Sequence, residues 1–378
     1  MWLSAKFGFV GMMRVKLKDI TNYSKGSQIN RDILLENGKY IYLNGGINPS
    51  GKWNAYNVSS KTITISEGGN SSGYINYITE PFWCGAHCYY LFDGPKNTKY
   101  LYYALKSQQE RLFKIRSGAC MPNIKKKDLG NFEFEFDFNE KIQIKIVSIL
   151  DECNKIINNY KLELELLDEL VKARFVELFG TLDNPTFNYN KSTLGELCYK
   201  ITDGKHGGCS LIQGSNRYFV GAREIYDDKV HYENAPEISV DDFEKDYRRC
   251  NVEVGDFLIV NTGATIGKSA IATDKRTKHT LLQKSVALLK LNQDLLNPEF
   301  LKWCYRINTR MYLVESSSAQ PNLLLSKIKA TEIYVPPIEL QNQFADFVKE
   351  VDKSRLEVQK SLKKTQELFD SLMQKYFG

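Results

Sequence analysis

A chain of 378 residues can form two or three domains, each with its own hydrophobic core. Its hydrophobic content of 42% and charged content of 25% are ordinary for a globular protein, and no apolar run reaches the roughly 18 residues of a membrane span. The net charge of +6 favours an anionic partner only where the cations are concentrated on one surface.

The N-terminal stretch 1–13 is predicted to be an extension outside the first domain. Lys6 interrupts its apolar run, and the stretch lacks the basic start and the small-residue cleavage site of a signal peptide. Met12 or Met13 could equally begin the chain.

The cysteines and histidines give little support for metal binding or nucleophilic catalysis. The eight cysteines form no Cys-x-x-Cys pair, and the nearest approach to metal spacing, Cys84-Gly-Ala-His87-Cys88, has no second cluster to complete a zinc site. None of the four histidines lies in a His-x-x-x-His or Ser/His/Asp pattern. We therefore expect reduced thiols in a cytoplasmic protein, no bound metal, and no catalysis by this chain alone.

Residues 14–140 are predicted to form a first domain of mixed α+β structure. Short β-prone runs such as KYIYL and KTITIS alternate with turn signals such as NGG and NPSG. This alternation is typical of short strands joined by tight turns, with a few short helices between them.

Residues 141–180 are predicted to form one long helix. Apolar residues recur in steps of four and three, which is the period of a coiled-coil seam. At 1.5 Å per residue the helix would be about 57 Å long. The seam comprises Ile146, Leu150, Cys153, Ile157, Tyr160, Leu164, Leu167, Val171 and Leu178, with a break at Arg174.

A second mixed domain, 181–337, and a second long helix, 338–378, repeat this pattern. Pro336-Pro337 ends the domain, because a proline pair resists helix before it and permits helix after it. Pairing of the two helices within the chain is the economical arrangement, and dimerisation with another chain is the alternative. The second seam comprises Phe344, Val348, Val351, Val358, Leu362, Thr365, Phe369, Leu372 and Tyr376, with a break at Arg355.

The two halves align with each other, which predicts a tandem duplication. The stretch SGACMPNIKKKDL (117–129) aligns with SSAQPNLLLSKI (317–328), and KYLYYAL (99–105) resembles EFLKWCY (299–305). An ungapped alignment of 143–180 with 341–378 places Phe179-Gly180 on Phe377-Gly378. The fold class is therefore α+β, with two mixed domains separated by two long coiled-coil helices.

The stretch NTGATIGKSA (261–270) resembles a phosphate-binding loop but has the wrong spacing. A P-loop has four residues between its glycines, whereas Gly263 and Gly267 enclose three. The first half has the same spacing between Gly69 and Gly73, without a Lys-Ser after it. The shared element is a strand that leads into a tight Gly-x-x-x-Gly turn, so we do not favour a nucleotide-hydrolysing enzyme.

Polar loops in both domains favour a nucleic-acid surface. Glycines let a loop approach another surface closely, amides and guanidinium groups distinguish base edges, and hydroxyls and backbone N–H groups bind phosphates. The alternative is that these loops are ordinary polar turns. Lys125-Lys126-Lys127 suggests phosphate contacts, and a solvated helix face explains this run nearly as well.

The candidate DNA-binding residues come from equivalent loops of the two domains. In the first domain they are Lys25, Gln28, Asn30, Arg31, Asn44, Asn48, Ser50, Lys52, Asn70 and Ser72. In the second domain they are Lys205, His206, Arg223, Thr262, Thr265 and Lys268.

The combination of motifs resembles the specificity subunit of type I restriction-modification systems, from about residue 14 to the end of the chain. The motifs are ITDGKHGG, GDFLIVNTGATIGK, QKSVALL, SSSAQPNLLLSKIK, VPPIELQ and VKARFVELFG. The first domain departs from the pattern with NGGINPSG and ISEGGNSSG, which is expected if the two domains recognise different sequences.

The resemblance implies a division of labour. Each target-recognition domain would recognise one half of a split duplex DNA sequence, and the antiparallel helix pair would fix the gap between the halves. Two methyltransferase subunits would bring S-adenosylmethionine, and restriction subunits, where present, would bring ATP and Mg²⁺; this chain would bind no cofactor. The docking helices are those around Ile146, Leu150, Leu167, Phe344, Val348 and Leu372.

Two other functions have to be compared with this one. A self-contained adenine methyltransferase is not expected, because Asn184-Pro-Thr-Phe187 and Asn297-Pro-Glu-Phe300 lack the second proline of the required motif. A coiled-coil adaptor for a protein or carbohydrate would share the duplication, and would show no salt-dependent affinity for DNA.

Overall fold

The computed structural model describes residues 11–118, 121–308 and 322–378. The chain divides into two compact units. Unit 1 comprises the chain up to Lys161 together with Lys360–Gly378, and unit 2 comprises Leu162–Gln359. Most of the predicted N-terminal extension, 1–13, lies outside the described residues.

Unit 1 is built on a four-stranded antiparallel sheet with the order β2-β8-β5-β6. A three-stranded sheet, β4-β3-β7, and an antiparallel pair, β1 with β9, complete its strands. The strands are β1 (Met12–Lys16), β2 (Asn22–Lys25), β3 (Tyr40–Leu43), β4 (Gly51–Trp53), β5 (Thr62–Ser66), β6 (Ile75–Ile78), β7 (Trp83–Cys84), β8 (Cys88–Phe92) and β9 (Glu133–Asp137). The short helices are α1 (Leu17–Ile20), α2 (Thr98–Ser107), α3 (Gln109–Lys114) and α4 (Lys126–Gly130).

The core of unit 1 lies between the four-stranded sheet and α2. All five residues of β5 are buried, and Ile63 and Ile65 join Tyr100, Tyr103 and Leu105 of α2 in one cluster. The sequence starts α2 with a cap, because the Asn97 side chain accepts a hydrogen bond from the backbone N–H of Tyr100.

The first long helix, α5, spans Glu140–Phe179. It is followed in unit 2 by β10 (Lys191–Thr193), β11 (Cys198–Asp203), β12 (Tyr218–Val220), β13 (Ile225–Tyr226), β14 (Lys229–Val230), β15 (Phe257–Val260), β16 (Ser269–Ile271), β17 (Thr280–Leu282), β18 (Val286–Leu291) and β19 (Glu332–Tyr334). The helices of this unit are α6 (Leu194–Leu197), α7 (Val240–Cys250), α8 (Pro298–Ile307), α9 (Leu325–Ala330) and the start of the second long helix, α10 (Ile338–Phe377).

The topology confirms the tandem duplication. Unit 2 has a four-stranded sheet with the order β11-β18-β15-β16, in which every strand corresponds to one in the β2-β8-β5-β6 sheet of unit 1. The antiparallel pair β10 with β19 repeats β1 with β9, and the parallel pair β12 with β17 repeats β3 with β7. Helix α6 follows β10 as α1 follows β1, and helix α8 follows β18 as α2 follows β8.

The two long helices pair in antiparallel orientation within the chain, as predicted. In unit 1 the beginning of α5 and the end of α10 share a core, with Ile146 and Leu150 near Met373 and Phe377. In unit 2 the end of α5 and the beginning of α10 share a core that includes Phe344 and Val348. The seam residues of α5 are therefore buried against those of α10, as expected if the two long helices of one chain pair with each other.

The two breaks in the predicted seam have different explanations. The Arg355 guanidinium pairs across the helices with Asp168, with Nη2 and Oδ1 2.8 Å apart. Near the end of α5 the buried positions shift to Phe175 and Phe179, which the sequence prediction missed and which are fully buried against Phe300 of α8. The break at Arg174 therefore marks the place where this helix meets the domain core.

Candidate nucleic-acid interface

In each unit the loops at one end of the four-stranded sheet are joined by backbone hydrogen bonds. In unit 1 the N–H of Glu67 donates to the carbonyl of His87 (2.9 Å) and that of Gly85 donates to Leu43 (2.9 Å). In unit 2 the N–H of Asn261 donates to Ser285 (3.0 Å) and that of Gln283 donates to Val220 (2.8 Å). These bonds correspond, so the loops they join are equivalent. We name each set the loop edge: 26–31, 44–50, 67–74, 85–87 and 122–123 in unit 1, and 204–209, 221–223, 261–268, 283–285 and 322 in unit 2.

Both Gly-x-x-x-Gly turns are β-hairpin turns that lie on the loop edge. In unit 2 the N–H of Gly267 donates to the carbonyl of Val260 (3.0 Å), and the N–H of Val260 donates to the carbonyl of Lys268 (2.8 Å). Unit 1 has the same two bonds: the N–H of Gly73 donates to the carbonyl of Ser66, and the N–H of Ser66 donates to the carbonyl of Tyr74. Gly263 and Gly267 have φ angles of +102° and +89°, which glycine adopts without steric cost. The turn leads into a strand, whereas a P-loop leads into a helix N-terminus that binds the phosphates. The hairpin geometry therefore removes the basis for a nucleotide-hydrolysing site here.

Five of the predicted DNA-binding residues of unit 1 line one cleft on the loop edge. The cleft has a volume of about 610 Å³, and its other lining residues include Tyr42, Gly45 and Ser71. Ser71 fixes one wall, because its hydroxyl donates to the carbonyl of Gly45 (2.7 Å). The predicted residues in the cleft are Gln28, Asn30, Arg31, Asn44 and Ser50.

The other five predicted residues of unit 1 lie outside this cleft. Asn48, Lys52 and Asn70 are exposed. The ammonium of Lys25 forms an ion pair with Glu67. Ser72 is fully buried, and its hydroxyl donates to the carbonyl of Glu67 (2.6 Å), so this side chain holds the turn together and is not offered to a ligand.

In unit 2, two of the predicted contacts are engaged with acidic residues. Lys205 Nζ lies 2.5 Å from Asp246 Oδ2 and 3.8 Å from Asp242 Oδ1. The hydrogen bond with Asp246 is the main reason that the pKa of Lys205 lies above its ordinary value. His206 Nε2 lies 2.9 Å from Asp203 Oδ2.

Asp203 also accepts hydrogen bonds from Arg249, whose Nη2 lies 2.5 Å from Asp203 Oδ1. Partial burial raises the pKa of Asp203, but hydrogen bonds from Arg249 and His206 outweigh that effect and leave the pKa below its ordinary value. The carboxylate is therefore ionised at neutral pH and holds His206 in place on the loop edge.

The remaining predicted residues of unit 2 are more accessible. Arg223 and Lys268 are exposed, and no ion pair of either appears among the described residues. Thr265 and Thr262 are half-buried, and the Thr262 hydroxyl donates to Oδ1 of Asn322 (3.3 Å). Arg223 and Lys268 are consequently positioned to meet an anion.

The cysteine motif of unit 1 does not form a metal site. Cys84 and Cys88 are buried in a small apolar cluster, whereas His87 is exposed and its Nδ1 lies 3.6 Å from Glu67 Oε2. The Cys84 thiol donates to the carbonyl of Cys88 (3.4 Å). Across the described ranges, no group of three or more His, Cys, Asp and Glu side chains is placed to hold a metal ion.

Sequence comparison assigns the chain to a known family. The model of the type I restriction modification DNA specificity domain matches twice, over residues 10–167 and 188–368. The chain belongs to this family. The two matches coincide with the two copies of the duplication, so the chain carries two specificity domains.

Two curated relatives are specificity subunits of mycoplasmas. A putative type I specificity subunit of Mycoplasma genitalium is 25% identical over 367 residues, which are 96% of this chain and 92% of the relative. A putative type I specificity subunit of Mycoplasma pneumoniae is 31% identical over 163 residues, 42% of this chain and 40% of the relative.

Two solved structures share the fold. The S subunit of a type I restriction-modification system from M. genitalium has a TM-score of 0.65 at 22% identity and covers 98% of this chain and 97% of its own. A chain from a study of complex assembly and conformational transition of a type I system has a TM-score of 0.57 at 14% identity, with 97% of each chain covered. The α+β fold with two domains and a long helix pair is thus that of type I specificity subunits.

The residues predicted to mark the docking helices lie on the inner side of those helices. Ile146, Leu150, Phe344 and Val348 are buried in the cores of their own units, and Leu167 and Leu372 are partly buried against them. The four buried side chains are therefore not accessible to a partner subunit. Within the described residues, no helix is long and apolar enough to cross a membrane.

The sequence prediction omitted two residues that the specificity domains place at equivalent positions on the loop edge. Asn123 pairs with Gly68 in an isolated β-bridge, and Asn322 pairs with Thr262 in the same way. Both asparagines are exposed. The signal was present, because Pro-Asn is the shared dipeptide in the alignment of the two halves.

Proposed function

We propose that this specificity subunit recognises a split duplex DNA sequence, with one loop edge on each half. The helix pair α5 and α10 sets the gap between the half-sites. The chain itself carries out no chemistry and binds no cofactor. It docks two methyltransferase subunits, which supply S-adenosylmethionine, and restriction subunits, where present, add ATP- and Mg²⁺-dependent cleavage.

The observation that carries this proposal is that two equivalent frameworks present different side chains. Unit 1 offers Gln28 and Asn30 from the loop after β2, and unit 2 offers His206 from the loop after β11. The cleft of unit 1 is lined by amides and one guanidinium group, which carry the donors and acceptors that distinguish base edges in the major groove. A common fold with unlike edges fits two unlike half-sites.

An exposed apolar stripe on α5 supports the docking of a partner subunit. Leu162, Leu166 and Leu170 recur every four residues, so they lie on one face of the helix. They are 54%, 59% and 48% exposed, whereas the nearby seam residues Leu164 and Leu167 are half-buried and Val171 is buried. This stripe, and not the seam, is the surface that we assign to a methyltransferase subunit.

Mapping of N6-methyladenine in the genome of the source cell tests the recognition role. We expect deletion of this gene to remove methylation from one split motif, two short half-sites around a fixed gap. If the map does not change, the purified chain should be titrated with duplex DNA across a range of salt concentrations. A flat response would support the adaptor function, because each neutralised phosphate contributes about −0.9 to the slope of log K against log salt.

Lengthening both helices tests the spacing role. One extra heptad, inserted after Lys161 and again after Gln359, preserves the seam and adds about 10 Å to each helix. At about 3.4 Å per base pair, the gap of the methylated motif should grow by about three base pairs while both half-sites stay the same. An unchanged gap in an active complex would contradict the spacing role.

A further inference from the structure

We propose that Asn123 and Asn322, with the Gly-x-x-x-Gly turns on which they dock, hold the sugar-phosphate backbone of the DNA in the same way in both half-sites. The residues that differ between the two loop edges then distinguish the bases. This inference rests on the proposed function and extends it, because it separates positioning residues from specificity-determining residues.

The two asparagines are docked by the same backbone contacts. In unit 1 the N–H of Ile124, the residue after Asn123, donates to the carbonyl of Glu67 (2.9 Å). In unit 2 the N–H of Leu323, the residue after Asn322, donates to the carbonyl of Asn261 (2.7 Å). Glu67 and Asn261 occupy corresponding positions at the start of the turns, so each asparagine lies beside its turn in the same register.

In both asparagines the amide oxygen is bonded by a hydroxyl, which comes from a different segment in each unit. The amide oxygen of Asn123 accepts a hydrogen bond from the Ser117 hydroxyl (3.0 Å), and that of Asn322 accepts one from Thr262 (3.3 Å). In the part of the chain that the structure describes, neither amide nitrogen has an acceptor. Both asparagines are exposed, and amide N–H₂ groups are common donors to DNA phosphate oxygens.

The tips of the two turns are open to an approaching ligand. A Cβ added at Gly69 or at Gly263 would meet nothing within 4 Å. Their φ angles of +75° and +102° explain the glycines through backbone conformation alone. The next residues, Asn70 and Ala264, are exposed, so the backbone of each turn can come close to a duplex.

Among the positions where the two loop edges differ, Gln28, His206 and Arg223 carry side chains that can recognise bases. Ser27 and Lys205 correspond, because their N–H groups donate to the equivalent carbonyls of Cys84 (2.9 Å) and Leu282 (2.7 Å). Gln28 therefore corresponds to His206. The equivalent strands β3 and β12 end at Leu43 and Val220, which pair with the equivalent residues Cys84 and Leu282. Counting three residues on from each strand end makes Gly46 correspond to Arg223.

A residue that is identical in the two domains cannot supply the difference between two half-sites, whereas the phosphate backbone is common to both. Asn123 and Asn322 therefore fit backbone contact, and the Gln28/His206 and Gly46/Arg223 positions fit base recognition. The lysine run 125–127 does not satisfy this criterion, because unit 2 has Leu324, Leu325 and Ser326 there.

The test introduces single variants into the chromosomal gene and maps N6-methyladenine at low expression, where methylation of the wild-type cell is incomplete. The variants are Asn123→Ala, Asn322→Ala and, for base recognition, Arg223→Ala. The matched control is Asn131→Ala, since Asn131 is exposed and unit 2 has Ala330 at the equivalent position. Asn123→Asp and Asn322→Asp keep the shape of the side chain and place a negative charge next to phosphate.

We expect the two asparagine-to-alanine variants to reduce methylation about two- to tenfold at all sites alike, without any change of motif. The aspartate variants should reduce it further, and Asn131→Ala should match the wild type. Arg223→Ala should instead relax the base preference in one half-site.

A change of base preference in either asparagine variant would overturn the inference, as would methylation equal to that of the control. If alanine prevents folding, as judged by thermal unfolding of the purified chain, the aspartate variants decide. A wild-type map without a split motif would remove the proposed function, and this inference with it.

Discussion

Lys205 and Asp246 form an ion pair in unit 2 that joins the loop after β11 to helix α7, with Nζ and Oδ2 2.5 Å apart. Asp242, on the same helix, lies 3.8 Å from the ammonium. A lysine on a Gly-rich loop thus neutralises the acidic side of a helix. Its charge is already compensated before any DNA arrives.

Replacing Lys205 should therefore affect folding more than the electrostatics of DNA binding. Lys205→Met leaves Asp246 and Asp242 without their cation, and we expect a loss of about 1 kcal/mol in the free energy of unfolding, since the pair is partly solvated. The salt dependence of DNA binding should remain that of the wild type. Urea unfolding and duplex titrations measure the two effects. A decrease of the salt slope by a full phosphate would show that Lys205 leaves its acidic partners to bind DNA.

Lys268 should behave in the opposite way. It is exposed at the end of the Gly-x-x-x-Gly turn. Lys268→Ala should lower the magnitude of the salt slope by about 0.9, the contribution of one phosphate, and leave thermal unfolding unchanged. Since the turn is a hairpin and not a P-loop, neither the wild type nor the variant should bind ATP in calorimetry. Saturable ATP binding that Lys268→Ala abolishes would reinstate the nucleotide site.

The features that the sequence predicted are those encoded over short distances. The helix seam follows a period of a few residues, and the Gly-x-x-x-Gly turns follow from a strand next to two glycines. The duplication was visible because both copies retain Pro-Asn and the spacing of the glycines. Gln28, Asn30 and Arg31 lie together in the cleft for the same reason, because they belong to one polar loop, and their contact with DNA stays a prediction.

The features that the sequence did not predict depend on contacts between distant segments. Lys205 meets Asp246, which is 41 residues away, so a loop lysine alone could not be recognised as neutralised. The sequence predicts Ser72 as a DNA contact, but the side chain is buried and its hydroxyl donates to the carbonyl of Glu67. Phe175 and Phe179 were missed because α8 packs beside the helix there and shifts the buried face away from the heptad positions.

The leucine stripe of α5 predicts a variant that separates docking from folding. Leu166→Glu replaces an exposed side chain with another good helix former, so the helix should remain stable. The buried carboxylate in an apolar interface should instead abolish complex formation, and with it methylation of the motif. Val254→Glu, at 58% exposure and away from the long helices, is the control. Co-purification with a candidate methyltransferase subunit measures the effect, and full assembly by Leu166→Glu would place docking elsewhere.

The aromatic cluster of unit 2 predicts a large loss of stability from a single substitution. The ring of Phe179 is fully buried, with its centroid 4.9 Å from that of Phe300 and 5.6 Å from that of Phe344. Phe179→Ala should lower the free energy of unfolding by about 3–5 kcal/mol, because a buried aromatic side chain leaves a cavity. Phe187→Ala, at 62% exposure, should change it by less than about 0.5 kcal/mol. Equal losses in urea unfolding would show that this cluster is not a core.

Lys106 of α2 gives unit 1 a stability that depends on pH. Its ammonium donates to the carbonyl of Ile75 (3.1 Å) and to Oε1 of Gln109 (3.2 Å), and it lies 3.9 Å from the centroid of the Tyr74 ring. Burial nevertheless lowers the pKa of Lys106 from 10.5 to about 8. Below pH 8 both folded and unfolded chains hold the proton, so the folded state carries the full cost of the buried charge.

Between about pH 8 and pH 10.5 the unfolded chain binds more protons at Lys106 than the folded chain does. The contribution of this group to the free energy of unfolding must therefore rise with pH in that window. Lys106→Met removes the titration, so the stability of the wild type relative to the variant should increase from pH 7.5 to pH 9.5. We expect an increase of about 1 kcal/mol, since solvent screening of this partly exposed group roughly halves the effect of the full pKa shift. Comparing the two proteins in urea at each pH cancels the tyrosines and cysteines that titrate in both. A difference that stays constant over this range would mean that the Lys106 ammonium keeps its ordinary pKa, because the hydrogen bonds and the Tyr74 ring then offset its desolvation.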